Sequence, residues 1–578
     1  MKDRAKSLKI ILMALVALIL VRLFFIQIVE HDAWVARAEE EHIVQSTIKA
    51  ERGEIYMMDG EDPVVEVMNR KVWSIIIDPM LADTDKTRNE VSRVLPNERM
   101  VAKWDEIFAD KTRRYYVAAR NLTKPEADQV RELSLDGVYL QRNNVRAYAE
   151  GEMASSLLGF VNADGEGQYG VEGALNEDLS GEDGILKTVT DVNNVALSIG
   201  DENVRIPAKN GKNVVLSIDR NIQHAMEKVL KNGMERSHAG HAAGLVMNPQ
   251  NGEVWALANL PTYDATKYAE VEDASVFINF PLEYAYEPGS MCKTFSFASA
   301  IDQGKMTPQT TFTNNGYIMV DNWKIENAYK GLIGTVSMQQ GLDYSLNTSS
   351  MTALMMLGGD MASINQRGKD LLYEYYHDRF GFGDYTGIEL YESKGNITAP
   401  DAADAYNSRY ANMTFGQGID LTMIQVASAF SSVVNGGMYY RPTVVAGEVK
   451  SNGEFDYYDS PEALRQTVSA QTSDTMRQML YGTRLGRRNL GIDKAGYYIG
   501  GKTGTSQAII DGAYSFAETT GNYIGFGSSV GELPEYVIMV KIWGEGLKME
   551  GEKDAMPIFD EMSAYMIDYL KLKPGGNN

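Results

Sequence analysis

The stretch YEPGSMCKTFSFASAID, Tyr286 to Asp302, decides how the second half of the chain folds. Pro288-Gly289 punctuates a loop. Beyond it Met291, Phe295, Ala298 and Ile301 recur near a 3.6-residue period, which predicts a helix opening at Ser290 and stopping before Gly304. Its apolar content predicts burial. Read locally, the segment is a turn followed by a core helix and needs no chemistry. Ser290 and Lys293, however, stand three residues apart and share one helix face. A hydroxyl beside a buried amine is a candidate nucleophile with its base.

Working outward, the length of 578 residues and a hydrophobic content of 44% predict several domains with ample apolar surface to bury. The 55 basic residues are outnumbered by 78 acidic ones, and a net charge of −23 repels phosphate backbones, so nucleic acid is not an expected partner. Cys292 is the one cysteine, which excludes an intramolecular disulfide framework and multi-cysteine metal sites; it reads as packing inside the helix. His238 and His241 in HAGH have no third ligand candidate near them in sequence and read as solvated loop.

Near the N-terminus, IILMALVALILVRLFFIQIV from Ile10 to Val29 contains only Arg22 and Gln27 as polar residues. At about 1.5 Å per residue it is long enough for a hydrocarbon core of roughly 30 Å. Lys2, Arg4, Lys6 and Lys9 precede it and acidic residues follow, so the positive-inside rule predicts a cytoplasmic tail at 1–9, a single-pass anchor at 10–29, and the remainder outside the cytoplasm. The competing reading is a cleaved signal peptide, with ARA at Ala36 to Ala38 as the cleavage site. Arg22 is costly within the span and either snorkels, the favoured reading, or faces a partner helix.

From about residue 30 to 210 the chain is polar and charged, with short strand-like runs such as VWSIIID and YYVAA, and reads as an extended α+β module. GDENVRIPAKNGKN near 200–212 marks a boundary. Across 211–575 the pattern is that of a mixed α/β module, a central antiparallel sheet flanked by helices. HAAGLVM and EVWALANLP are two strands joined at NPQNG; YYIGGKTGT, GNYIGFGSS and EYVIMVKIW are late strands; Thr422 to Val434 and PIFDEMSAYMIDYL are helices.

Two further triplets give Ser290 weight. Ser345-Leu346-Asn347 lies in DYSLNTSS and Lys502-Thr503-Gly504, followed by Thr505, in GGKTGTSQ. Each alone is weak. In the order SxxK, SxN, KTG they form a strong signal, and the chain resembles a class B penicillin-binding protein, a monofunctional peptidoglycan D,D-transpeptidase. AERGEIYMMDG after the anchor, VRAYAEGEMASSLLGFVNADGEGQYGVEGALNEDLSG in the pedestal, and FGQGIDLTMIQVASAF are similar to further family stretches. YMMDGED in place of the family's Asp-Arg-Asn-Gly, and the lack of a proline after Tyr148, are departures that fall in the pedestal.

The resemblance implies an acyl-enzyme on Ser290, with Lys293 as base, Ser345 as proton relay and Asn347 holding the donor peptide, a reaction for which no metal or organic cofactor is expected. It assigns Lys502, Thr503 and Thr505 to the substrate's terminal carboxylate, the backbone N–H groups of Ser290 and Thr505 to the oxyanion hole, and Gly504 to a close approach of the edge strand along which substrate adds. Implied partners are D-Ala-D-Ala stem peptides, the acceptor amine, β-lactam antibiotics, and a SEDS-family glycosyltransferase in the membrane. Two alternatives stay open: a wall-synthesis scaffold activating that glycosyltransferase, and a membrane-anchored β-lactamase or β-lactam sensor. Glu287 and Asp343, beside the motifs, are expected to cap or solubilise.

Overall fold

The computed structural model describes residues 2–34, 43–189, 204–450, 452–459, 461–487, 493, 495–510 and 513–575. The Ala36–Ala38 stretch and residues 200–203 of the expected boundary lie outside them. The described chain forms two compact units, one of residues 1–53 with 177–212 and one of 54–176 with 213–578.

In the smaller unit the helix Lys2–Phe24 continues into a π-helical turn, Phe25–Val29, so that Lys6–Val29 is long and apolar enough to cross a membrane. Arg22 extends its guanidinium to within 3.9 Å of Glu30, toward the end of the apolar segment. The unit also holds a three-stranded antiparallel sheet in which Gly184–Val189 lies between Ile43–Ile48 and Val204–Ile206.

Two sheets organise the larger unit. The first runs in the order Phe455–Tyr457, Val445–Val449, Asn213–Asp219, Ile55–Asp59, Asp62–Ile77, Tyr116–Leu122, and the long strand Asp62–Ile77 also pairs with Val138–Tyr148. Val214 pairs in parallel with Ile55, so hydrogen bonding is continuous across the boundary expected near residue 210, and residues 54–176 pack with the chain beyond residue 212 as one unit. Asp219 ends the strand VVLSID and caps the helix Arg220–Ser237, accepting from the N–H of Asn221 at 2.8 Å and of Ile222 at 3.1 Å.

The second sheet is the predicted antiparallel one, in the order Val254–Leu260, His241–Met247, Tyr536–Trp543, Ala513–Ser529, Tyr497–Ile510. NPQNG joins the first two strands. On one face Ile538, Val540 and Ile542 pack with Met226 and Leu230 of Arg220–Ser237 and with Ile558, Phe559 and Met562 of the helix Met556–Tyr569. Each such side chain contributes about 2 kcal/mol of apolar burial. On the other side Met423–Val434 and Ala470–Arg487 pack on the sheet, Lys293–Asp302 packs on those two helices, and Asn347–Leu357 packs on Lys293–Asp302. Residues 293–300 of Lys293–Asp302 are all buried, Thr294, Ser296 and Ser299 included, so protein surrounds this helix on every face.

In the pedestal part the sequence VRAYAEG contributes one half of a buried ion pair. Arg146, on the strand Val138–Tyr148, donates to Glu172 Oε1 at 2.6 Å and to Asn69 Oδ1 at 3.0 Å, with both members of the ion pair almost fully buried. Removing one member takes the opposite charge away from a group that stays buried. Arg146→Ala is therefore expected to cost about 3–5 kcal/mol, whereas Arg146→Met combined with Glu172→Leu restores most of the stability. Thermal unfolding of the detergent-solubilised full-length protein tests both; equal losses for single and double variants would refute the account.

Candidate active site

The predicted helix opening at Ser290 is a tighter object. Gly289–Cys292 forms a 3-10 turn and the α-helix proper begins at Lys293. Gly289 has φ +63°, donates to the Gly416 carbonyl at 3.1 Å, and leaves no room for a side chain: a Cβ there would lie 2.7 Å from Ser506 Oγ and 2.8 Å from the Thr505 carbonyl oxygen. The turn therefore sits directly against the strand that continues beyond Lys502. Ser290 is half-buried, while Cys292, with 0% exposure, points into the core, where burial pushes its thiol well up.

Lys293 is the hub. Its Nζ lies 2.9 Å from Ser290 Oγ, 3.1 Å from Ser345 Oγ and 2.6 Å from the Ser345 carbonyl oxygen, and the side chain is 0% exposed. Burial, reinforced by the positive charge of Lys502, holds its ammonium well below the ordinary lysine range. Among the described residues no carboxylate forms an ion pair with it. Ser345 adopts φ +52°, a left-handed conformation uncommon for serine, which turns its carbonyl and its hydroxyl to the same amine. Lys502, 1% exposed, donates to Ser345 Oγ at 3.0 Å, to the Thr503 carbonyl at 3.0 Å and to Thr503 Oγ1 at 3.2 Å. Ser290, Lys293, Ser345 and Lys502 thus share one hydrogen-bonded cluster.

Asn347 stands at the wall of the same cleft, its Nδ2 donating to the Glu326 carbonyl at 2.9 Å. The cleft has a volume of about 800 Å³, and Ser290, Ser345, Thr503 and Thr505 also line it. Thr503 and Thr505 lie on the outermost strand of the five-stranded sheet, and Thr505 Oγ1 accepts from the Gly551 N–H at 3.1 Å. Gly504 does permit a close approach, but to protein: a Cβ there would be 2.7 Å from the Pro288 carbonyl oxygen and 3.0 Å from Met291 Cγ. Its missing side chain lets the serine turn dock on the strand.

Three neighbours depart from the expectations set by sequence. Glu287 does not solubilise: it is 7% exposed, and its Oε1 accepts from the Gly418 N–H at 2.6 Å and the Tyr514 hydroxyl at 2.7 Å. Asp343 ties two helices together, accepting from Gln339 at 2.7 Å and Thr483 at 2.9 Å. His241 is not loop; it starts a strand and stacks on Trp543 at 5.3 Å, whereas His238 is exposed and closes the preceding helix in a left-handed conformation. Sequence reading also missed Gly551. Its contact with Thr505 joins positions far apart in the chain, and no local pattern marks it.

The family described as the penicillin-binding protein transpeptidase domain matches residues 242–564, and the penicillin-binding protein dimerisation domain matches residues 47–216. The chain belongs to the class B penicillin-binding proteins. Stage V sporulation protein D of Bacillus subtilis is 27% identical over 99% of this chain and 87% of its own length. A protein of Neisseria meningitidis serogroup A called the probable peptidoglycan D,D-transpeptidase PenA is 26% identical over 73% of this chain and 68% of its own. The fold is shared with penicillin-binding protein 2X of Streptococcus thermophilus, at a TM-score of 0.72 and 23% identity, over 92% of this chain and 81% of that one. It is shared too with penicillin-binding protein 3 of Mycobacterium tuberculosis, determined with ampicillin, at 0.67 and 21%, over 92% and 98%.

In this penicillin-binding protein the docking of serine turn on strand yields a test. Gly504→Ala is expected to push the two apart, lowering the melting temperature and the rate of acylation by a fluorescent penicillin at least about tenfold, because small displacements of reacting groups are costly. An unchanged acylation rate would show that the contact at Gly504 does not set the site.

Proposed function

We propose that the protein is a serine-type peptidoglycan D,D-transpeptidase in which Ser290 carries the acyl group. The observation that supports this most directly is the 2.9 Å approach of Ser290 Oγ to a buried lysine that has no counter-charge among the described residues. A donor count agrees. Lys502 donates to Ser345 Oγ and to two oxygens of Thr503. Neutral Lys293 has two N–H groups for the Ser345 carbonyl and hydroxyl oxygens, which leaves its lone pair for the Ser290 hydroxyl. The Ser345 hydroxyl proton then remains to be given away.

The reaction proceeds in two halves. Lys293 takes the Ser290 proton as Oγ attacks the carbonyl carbon of the donor's D-Ala-D-Ala bond. The C–N bond breaks, and the departing D-alanine amine receives a proton through Ser345, which is replenished from Lys293. In the second half an acceptor amine attacks the ester, its proton passes to Lys293, and the C–O bond breaks with return of the proton to Ser290. Backbone N–H groups of Ser290 and Thr505 serve the oxyanion, a role that the close packing of Gly289 on Thr505 supports. Lys502, Thr503 and Thr505 receive the donor's terminal carboxylate, and Asn347 its peptide backbone. A β-lactam presents the same carboxylate and amide and acylates Ser290 without a leaving group that diffuses away.

The basic residues Lys2, Arg4, Lys6 and Lys9 at the start of the apolar helix support a cytoplasmic N-terminal tail, with the cleft outside the cytoplasm. The same reading gives the apolar helix and pedestal to a membrane partner of the SEDS glycosyltransferase kind. A Ser290→Ala protein that sustains glycan polymerisation but not crosslinking separates that role from acyl transfer.

Incubation of the full-length protein with fluorescent penicillin, and then intact-mass measurement, is expected to give one stable adduct on the wild type and none on Ser290→Ala. Rapid shedding of the label would instead mark a β-lactamase, and an adduct on the variant would move the nucleophile elsewhere. Lys293→Ala is expected to lower acylation about a hundredfold or more.

The pH profile gives an independent check. Because the Lys293 pKa is lowered, its neutral form, the base, dominates above that pKa, so acylation rises with pH through it and is lost below. Lys502→Met removes the neighbouring cation, raises the Lys293 pKa, and is expected to move the rise to higher pH by about one unit, apart from any loss of amplitude. An unmoved midpoint would exclude Lys293 as the titrating base.

A further inference from the structure

A second cavity, of about 490 Å³, lies outside the catalytic cleft. Its origin is visible in the strand Tyr536–Trp543. Ile538, Val540 and Ile542 face the helix-packed core, so Val537, Met539, Lys541 and Trp543 alternate onto the opposite face. A lysine at a buried strand position is costly unless paired. Lys541 is 3% exposed, yet among the described residues no oxygen accepts a hydrogen bond from it and no carboxylate pairs with it. Its Nζ instead lies 3.9 Å from the ring centre of Tyr286, 5.3 Å from that of Trp543 and 5.9 Å from that of Phe280.

These aromatic faces offset part of the desolvation of the ammonium. They leave its N–H groups without acceptors at a wall of the cavity, the rest of which is mostly apolar: Leu260, Ile278, Phe280, Tyr284 and Trp543 line it. Trp543 and Phe280 lie with ring centres 4.3 Å apart, and Phe280 stacks on Tyr284 at 4.7 Å, giving a continuous aromatic surface. A buried, unpartnered cation beside an aromatic wall in a cavity of this size matches the general form of a small-molecule site. We infer that the cavity binds a small organic acid, its carboxylate accepting from Lys541 and its apolar body lying on the Phe280, Tyr284 and Trp543 rings.

Two carboxyls, Glu287 and Asp420, line the same cavity, and burial pushes both up toward their protonated forms, which limits their repulsion of an anion. His241, also on the wall, is pushed down by burial toward its neutral form. Burial likewise brings the Lys541 amine down to about 7, and a carboxylate at hydrogen-bond distance restores its charged form. None of these groups takes part in the chemistry at Ser290, so binding here stands or falls apart from acyl transfer.

The probes are 2-naphthoate and its neutral analogue 2-naphthylmethanol, titrated calorimetrically into detergent-solubilised full-length protein against detergent-only blanks. Naphthoate is expected to bind one-to-one and at least about tenfold more tightly than the alcohol, the margin of a charge-assisted hydrogen bond. Lys541→Met and Lys541→Gln are each expected to abolish that preference. Absence of saturable naphthoate binding, equal affinities of acid and alcohol on the wild type, or a preference that survives in either variant would overturn the assignment. The wild-type comparison decides even where a variant does not fold.

Discussion

The arrangement of the cleft depends on keeping one amine dry. Lys293 sits inside the structure with a serine on each side and no acidic partner among the described residues, and every element around it contributes to that state. The helix that bears it is enclosed on all sides, the Ser345 carbonyl turns toward it through a left-handed backbone, and Lys502 adds a second positive charge nearby. A carboxylate at hydrogen-bond distance would hold the proton on the lysine and disable it as a base. The site therefore places two lysine amines around one hydroxyl, one of them driven from its charged form by burial, an arrangement that a fold selected for stability alone would avoid.

The close packing of backbone on backbone keeps those amines in register. Gly289 against Thr505, Gly504 against Pro288, and Gly551 against Gly504 each replace a side chain by a direct contact between main chains. These contacts join the serine turn, the Lys502 strand and the segment opening at Gly551. One wall of the cleft is thus the edge strand of a packed sheet, which carries Thr503 and Thr505.

Much of this was legible in the residues themselves. Period and punctuation located the helix at Phe295, the strands at Lys502 and Val540 and the closing helix at Ile558, because each has an apolar pattern set by a core on one side. The three motifs marked Ser290, Lys293, Ser345 and Lys502, which the structure brings together. The rest was long-range. Nothing in ALNEDLSG or KNVVLSID announces that Val214 will pair with Ile55, so the boundary near residue 210 hid a continuous sheet. Glu287 looked solvated because its partners, Gly418 and Tyr514, lie more than a hundred residues away in sequence. Lys541 did leave a local trace. Within EYVIMVKIW it is a charge at a position of a fully apolar strand, and only its surroundings reveal what that exception costs.

Cys292 carries a different consequence. It is the chain's only thiol, lies within the turn that holds Ser290, and is shut off from solvent with its proton held tightly by burial. A thiol reagent can reach it only when that turn swings open, and the rate of modification in excess reagent then counts those openings. The protein thus contains its own clock for breathing at the serine turn, one residue removed from Met291 and in step with the helix that keeps Lys293 dry.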